Sequence, residues 1–337
     1  MKILLVFTGG TIGSTVSEGA IDTSGKAPFK LLHLFKQHTP AQQQPHFDTL
    51  QPLQVLSENL APAAWQIIID AIEKARPSQY DGIIVTHGTD TLAYTAAAIS
   101  FYFHALKLPI LLVSSNYPLD DERANGLENF ICAVDFIRQQ IATGVFVPYR
   151  NPQDSMQVHQ GNRLACSLQL SGDFFSVQGQ SAMQYENHAF SAFSARTSTA
   201  PDLIPLTASF SDRILMIKPY PGLDYRHTDL ANVDAVLHDL YHSGTACASE
   251  QWGNQHSLIE FIKRCKQQHV DIYLAPAIHS PDAYQSTLTL LEHGAHMLWN
   301  LSIEAAYVKL SLAYGNFDDQ QQIVDFIERD IAGEHLG

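Results

Sequence analysis

The stretch Gly82–Thr91, which reads GIIVTHGTDT, decides the fold of this chain. Its first half, Gly82–Thr86, is a short run rich in Ile and Val, which is typical of a strand buried on both faces of a parallel sheet. Its second half is a polar turn that carries a glycine, hydroxyl groups and a carboxylate. An apolar face at helical spacing follows, formed by Leu92, Ala96, Ile99, Phe103 and Leu106. A buried strand, a turn and a helix in this order predict one repeat of a parallel α/β sheet.

The same alternation extends along the chain in both directions. In the first part, the other strand-like runs lie at 3–7, 53–56, 109–113 and 144–147. A second alternation begins at Arg213, with strand-like runs at 214–217, 245–248 and 271–275. Between these runs the spacing of apolar residues predicts helices at 229–242, 257–268 and 281–293.

Two alternating regions predict an α/β protein of two domains, each a mostly parallel sheet covered by helices. A length of 337 residues fits two domains of ordinary size. Residues 191–212 are rich in Ser, Ala, Thr and Pro, which indicates a linker. We therefore expect a larger N-terminal domain at 1–190 and a smaller C-terminal domain at 213–337.

Charge and cysteine content exclude several classes of function. Acidic residues outnumber basic ones by 34 to 20, and the net charge of −14 argues against a nucleic-acid or acidic-membrane partner. The four cysteines form no CxxC pair, and no histidines have the HExxH spacing, so we expect reduced thiols and no metal. The apolar run at 3–7 is shorter than a signal peptide requires, and no run approaches the roughly 20 residues that span a bilayer. These features favour a cytoplasmic protein.

Hydroxyl-bearing residues follow four of the predicted strands. In open α/β sheets, ligands bind beyond the carboxyl ends of the strands, so these turns are the candidate site. The four turns are Thr8–Ser14, Ser57–Asn59, Thr86–Thr91 and Ser114–Asn116.

The first turn has the glycines of a phosphate loop without its spacing. It matches neither GxGxxG nor GxxxxGK[ST], so we expect no nucleotide cofactor. The turn instead presents the hydroxyl of Thr11 beside backbone amides that can stabilise an oxyanion. A threonine hydroxyl needs a base to become a nucleophile, and Thr89 with Asp90 supplies a second hydroxyl and a carboxylate. Asp90 is also suited to hold a substrate ammonium group. The alternative is that these residues only cap helices and form turns.

Two of these turns together resemble a known family. Thr8–Gly13 (TGGTIG) and His87–Thr91 (HGTDT) are similar to the two signature motifs of the bacterial-type L-asparaginases, and Ser57–Asn59 falls where that family has its substrate-binding loop. The absence of a signal peptide resembles the cytoplasmic, type I branch. Further similar segments lie at 115–118, 123–126, 161–163, 253–254 and 303–306.

The resemblance implies a hydrolase that releases ammonia from the side-chain amide of L-asparagine. By analogy with the family, Thr11 is the nucleophile and forms an acyl-enzyme that water then hydrolyses. Thr89 and Asp90 assist proton transfer, and the Thr89 amide contributes to the oxyanion hole. No metal or cofactor is implied.

The resemblance also implies how the substrate is held. Asp90 binds its α-ammonium group, Ser57 binds its α-carboxylate and Glu58 lies beside its α-amino group. Gly88 and Ser115 complete the substrate-binding set expected within a single protomer. The family assembles as a homodimer or homotetramer in which a neighbour's second domain completes each pocket, and Asn254 is the candidate for that contribution.

Two residues depart from the family pattern. Ala20 occupies the position of a tyrosine on the loop after the first motif, and Cys166 aligns with a lysine that normally pairs with the second threonine. Loss of a general base typically lowers a rate by about 10²- to 10⁴-fold. Three alternatives therefore stay open: an amidohydrolase acting on glutamine or another amide, a family member of low activity, and a non-catalytic amino-acid-binding protein.

Overall fold

A computed structural model describes residues 1–10, 12, 14–17, 20–23, 27–168, 170–191 and 203–336. The chain divides into two compact units, Met1–Ser209 with Ile331–Gly333, and Phe210–Asp330 with the segment from Glu334 onward. Half of the predicted linker at 191–212, residues 192–202, lies outside the described ranges. Ile331–Gly333 belongs to the first unit, whereas the predicted boundaries place it in the C-terminal domain. The sequence does not reveal this, because the composition of these three residues does not differ from that of their neighbours.

The first unit is built on an eight-stranded sheet with the strand order β10-β9-β8-β7-β6-β5-β1-β4. Strands β4, β1, β5, β6 and β7 run parallel, and β8, β9 and β10 add antiparallel pairs at the other edge. The strands are β1 (Lys2–Phe7), β4 (His46–Leu50), β5 (Gly82–Thr86), β6 (Pro109–Val113), β7 (Gly144–Arg150), β8 (Met156–Gln160), β9 (Met183–Glu186) and β10 (Ala189–Phe190). A separate hairpin pairs β2 (Ser14–Ser17) with β3 (Ala20–Thr23).

Among the described residues of this unit, four α-helices accompany the sheet: α1 (Ala27–His38), α2 (Pro62–Lys74), α3 (Leu92–Tyr102) and α4 (Gly126–Arg138). Helices α1 and α4 belong to one apolar cluster with the central strands, in which the rings of Phe35 and Phe130 pack edge to face at 5.3 Å. Helix α3 is buried along almost its whole length, which explains why its apolar residues are not confined to one face.

The predicted strands at 82–86 and 109–113 are confirmed, but the one at 53–56 is wrong. The strand that pairs with β1 at this edge is β4, and from the later segment only Val55 forms a parallel bridge, to Gly9. Because β4 lies at the edge of the sheet and is only partly buried, it lacks the continuous apolar run that identifies an inner strand.

The second unit contains a four-stranded parallel sheet with the strands in sequence order, β11-β12-β13-β14. The strands are β11 (Ile214–Ile217), β12 (Ala235–Asp239), β13 (Asp271–Ala277) and β14 (His296–Trp299). Four helices complete this unit: α5 (Leu258–Gln267), α6 (Gln285–Glu292), α7 (Ile303–Asn316) and α8 (Gln320–Glu328). The prediction of an α/β fold with two mostly parallel sheets is thus confirmed.

Two elements of the second unit differ from the prediction. The expected helix at 229–242 contains strand β12, and the expected strand at 245–248 contributes a single antiparallel bridge, between Thr245 and Tyr241. Strand β12 is hydrogen-bonded to a strand on each side, and four of its five residues are buried. These pairings outweigh the helical spacing of the surrounding apolar residues. Among the described residues, no helix is long and apolar enough to cross a membrane.

Candidate active site

The centre of the candidate site is a backbone contact between the turns that follow β1 and β5. Gly10 has a φ of +78°, and a methyl group on it would lie 2.3 Å from the backbone nitrogen of Gly88 and 2.4 Å from its Cα. Only glycine fits there, because any side chain would overlap backbone atoms that cannot rotate away. The two signature turns therefore touch through their glycines.

A third segment joins this contact and carries Ser57 to it. The N–H of Gly10 donates to the carbonyl of Val55 at 3.2 Å, and the N–H of Val55 donates to the carbonyl of Thr8 at 3.0 Å. The buried hydroxyl of Thr8 donates to the carbonyl of Thr86 at 2.6 Å, which ties the ends of β1 and β5 together. The extended segment before Ser57 thus runs beside the first turn, although it is not part of a regular strand.

Ser57 and Asp90, both predicted to bind substrate, are hydrogen-bonded to each other. The Ser57 hydroxyl donates to the Asp90 carboxylate at 2.9 Å and accepts from the Asp90 N–H at 3.2 Å. The Thr91 hydroxyl donates to the Ser57 carbonyl at 3.0 Å. Ser57 is buried whereas Asp90 is exposed, so the pair joins the interior to the surface at this edge.

The remaining predicted residues of the first unit either lie in the same turns or fall outside the described residues. Thr89 is half-buried between Gly88 and Asp90, and Glu58 is exposed directly after Ser57. The expected nucleophile Thr11 and the side chain of Ala20 lie outside the described residues.

Ser115 holds its own turn together. Its side chain is fully buried, its hydroxyl donates to the Tyr117 carbonyl at 2.6 Å, and a methyl group on Gly126 would lie 2.7 Å from it. The turn is closed further by two reciprocal bonds, in which the side-chain oxygens of Asn116 and Asn125 each accept from the other's backbone N–H. These contacts place Ser115 behind the surface of the site, and its role towards substrate stays a prediction.

Two predicted residues lie farther along the chain. Cys166 is half-buried, three residues after the short 3-10 helix Gly161–Arg163 that follows β8. Asn254 is exposed and begins the 3-10 helix Asn254–His256 of the second unit.

His87 lies beneath the second signature turn and is not among the predicted site residues. Its side chain is 1% exposed, and its Nδ1 lies 2.8 Å from the carbonyl oxygen of Gly88. Because a carbonyl only accepts hydrogen bonds, Nδ1 carries the proton. Burial lowers the pKa of His87 to about 4, so the imidazole is neutral at pH 7. The sequence offers no signal that separates His87 from a buried histidine that only packs.

No group of His, Cys, Asp and Glu side chains suited to a metal ion occurs in the part of the chain that the structure describes. The chemistry that the described residues of these turns offer is that of hydroxyls, the carboxylates of Glu58 and Asp90, and backbone N–H groups. These are the groups used for nucleophilic attack on a carbonyl and for binding the charged ends of an amino acid.

Sequence comparison finds relatives along the whole chain. The family model "Asparaginase, N-terminal" matches residues 2–195. A protein of Aeropyrum pernix named as a component of glutamyl-tRNA(Gln) amidotransferase is 25% identical over 350 residues, which cover 99% of this chain and 79% of the relative. The protein of the same name from Methanosarcina mazei is 26% identical over 345 residues, covering 99% of this chain and 78% of the relative.

Structural comparison finds L-asparaginases that match end to end. The thermostable L-asparaginase of Thermococcus kodakarensis superposes with a TM-score of 0.81 at 24% identity, covering 100% of both chains. L-asparaginase I of Vibrio cholerae superposes with a TM-score of 0.77 at 25% identity, covering 99% of both chains.

Proposed function

The chain belongs to the asparaginase family, and from this we propose that it hydrolyses the side-chain amide of L-asparagine to L-aspartate and ammonia. The observation that carries the proposal is the Ser57–Asp90 pair, held where the two glycine turns meet. A hydroxyl donor beside a carboxylate is suited to the α-carboxylate and α-ammonium groups of a free amino acid.

In the proposed reaction, the Thr11 hydroxyl attacks the amide carbonyl of the bound substrate. Its proton leaves through Thr89 and Asp90, and the Thr89 N–H stabilises the oxyanion of the tetrahedral intermediate. The C–N bond breaks and ammonia leaves once its nitrogen has been protonated. A water molecule then attacks the Thr11 ester and releases L-aspartate.

Substrate binding requires the Ser57–Asp90 pair to change partners. The hydroxyl that donates to Asp90 rotates to donate to the incoming α-carboxylate, while the Asp90 carboxylate accepts from the α-ammonium group instead. The exchange replaces one charge-assisted hydrogen bond by two, which favours a ligand that carries both charges. Glu58, exposed next to Ser57, adds negative charge near the α-amino group.

A second candidate function follows from the curated relatives. Their name, as components of a glutamyl-tRNA(Gln) amidotransferase, suggests a chain that acts as one subunit of such a complex. One observation favours the first candidate: the net charge of −14 is unfavourable for a surface that meets tRNA.

We also propose a cytoplasmic homodimer or homotetramer. The first unit would carry the nucleophile and most of the active site, and Asn254 of the second unit would reach a neighbouring protomer's pocket. Light scattering of the purified protein tests the assembly. The substitution Asn254→Ala should raise KM for L-asparagine without changing the oligomer size.

The deciding experiment measures ammonia release with L-asparagine and L-glutamine in parallel, using Thr11→Ala and Thr11→Ser as matched variants. The proposal expects release from L-asparagine that Thr11→Ala abolishes and Thr11→Ser partly retains. Preference for L-glutamine would favour an amidohydrolase of different specificity. No release from either amide, together with binding of L-aspartate, would favour the non-catalytic alternative.

A further inference from the structure

The hydrogen bond from the His87 side chain to the Gly88 carbonyl acts on the peptide group whose N–H is the proposed oxyanion donor. The carbonyl that accepts from His87 Nδ1 and the N–H of Thr89 belong to one planar peptide unit. This peptide is trans, so its carbonyl and its N–H point in opposite directions. A group that holds the Gly88 carbonyl on one side therefore sets the direction of the Thr89 N–H on the other.

The surroundings of Gly88 leave the peptide little room to tilt. A methyl group on Gly88 would lie 2.4 Å from the Ser57 hydroxyl and 3.2 Å from the Cα of Gly10, so both neighbours lie close to the α-carbon of Gly88. Among the residues that the structure describes, the N–H of Thr89 has no hydrogen-bond acceptor. It is therefore available to a ligand in this turn.

We propose that His87 is a positioning residue that orients and polarises the Thr89 N–H as the oxyanion donor of the reaction. The inference rests on the proposed amidohydrolase function. A hydrogen bond to a peptide carbonyl strengthens the donor at the other end of the same peptide, because the two dipoles polarise each other. His87 would thus act on the substrate through one peptide group without touching it.

The properties of the imidazole suit this role and not that of a base. Its Nδ1 proton is held by the Gly88 carbonyl, and its Nε2, the atom that would act as a base, is buried with no hydrogen-bond partner among the described residues. Burial lowers the pKa of the ring to about 4, so the imidazole is a weak base that stays neutral throughout the neutral pH range.

Two substitutions separate positioning from packing. Asparagine places a side-chain N–H near the position of Nδ1, whereas leucine has a similar shape and no donor. We expect His87→Leu to lower kcat for ammonia release by about 10- to 100-fold, less than the 10²- to 10³-fold loss on removing an oxyanion donor outright. KM should change less than about twofold, and His87→Asn should recover kcat to within about fivefold of the wild type.

His159→Leu is the matched control. His159 lies on β8, is 2% exposed and, like His87, uses Nδ1 in one hydrogen bond, here to the Ser176 hydroxyl at 2.8 Å. We expect it to lower the melting temperature about as much as His87→Leu while leaving kcat within about threefold. An equal loss of kcat in both leucine variants would overturn the proposal, because it would reflect packing alone. So would a His87→Asn variant as inactive as His87→Leu.

The Thr89 amide signal, read by NMR in protein labelled at threonine nitrogen, gives a readout independent of activity. We expect the signal to move in His87→Leu and to stay near its wild-type position in His87→Asn. An unmoved signal in His87→Leu would overturn the positioning role even if the wild type is active. Absence of ammonia release by the wild type would overturn the proposed function, and the amide signal would then still decide whether His87 orients the Thr89 N–H.

Discussion

Gly10→Ala is the change that tests most directly whether contact between the two signature turns creates the site. The added methyl group would lie 2.3 Å from the nitrogen of Gly88, whereas an ordinary contact needs at least 3.4 Å. The obstacle is backbone, so the turns must separate by about 1 Å to admit the methyl group.

Two costs add in the free energy of unfolding. Alanine at a φ of +78° is disfavoured by about 1–2 kcal/mol, and overpacking typically adds about 1–3 kcal/mol. We therefore expect a loss of about 2–5 kcal/mol. A displacement of about 1 Å in a catalytic arrangement costs about 10²-fold in rate, so kcat should fall by at least that factor.

Gly179→Ala is the control, because Gly179 also has a positive φ, +68°, but a methyl group there meets no atom within 4 Å. It should lose only the conformational term, about 1–2 kcal/mol, with kcat unchanged. Urea unfolding measures the stability of both variants and ammonia release measures kcat. A folded Gly10→Ala variant with kcat within twofold of the wild type would refute the view that this contact positions the catalytic groups.

Three further perturbations follow from other parts of the molecule. Cys166→Lys should raise ammonia release if the missing lysine limits proton transfer, and unchanged or lower activity in the folded variant would contradict this. Lys309 and Glu334 form a fully buried ion pair at 2.5 Å. Removing one partner leaves the other charge buried and unpaired, so Lys309→Met should lower the free energy of unfolding, measured with urea, by about 3–5 kcal/mol. Adding Glu334→Gln to this variant should restore part of the lost free energy. Burial lowers the pKa of His159 and of His238 to about 4, below the value of 6.5 in the unfolded chain. Between pH 4 and pH 6.5 the unfolded state therefore binds more protons than the folded state. The free energy of unfolding should fall as the pH drops through this range, by up to about 3 kcal/mol for each histidine. The substitution His159→Gln should flatten the pH dependence of the urea midpoint.

The inner strands can be predicted because their burial is written in the sequence as short apolar runs. Gly82–Thr86 and Pro109–Val113 are each buried at all five positions, and composition alone identifies them. The edge strand His46–Leu50 has no such run, and Ala235–Asp239 lies within residues that also have helical spacing. In both cases the deciding interaction is pairing with a distant strand, which local spacing does not encode.

Side-chain partners are less accessible from the sequence than strands. The general rule that ligands bind at carboxyl strand ends leads to Asp90, which lies in the turn after β5. The same rule leads to Ser57 only through a predicted strand that does not form, and the structure joins the two side chains by a hydrogen bond. Nothing local distinguishes His87 from a histidine that only packs, because its role depends on which carbonyl lies 2.8 Å away. Lys309 and Glu334 are 25 residues apart and become a buried pair only in the folded chain.

The register of the parallel strands explains why residues far apart in the sequence converge on one edge. Phe7 pairs with Thr86 and Thr86 pairs with Val113, so the residues after these three positions leave the sheet at the same level. A shift of one residue in either pairing would move a turn by about 3.3 Å and reverse which face its side chains occupy. Glycine at positions 10 and 88 then lets two of the turns meet backbone to backbone. The two motifs therefore depend on each other, because the lack of a side chain on the glycine of each turn leaves room for the backbone of the other turn.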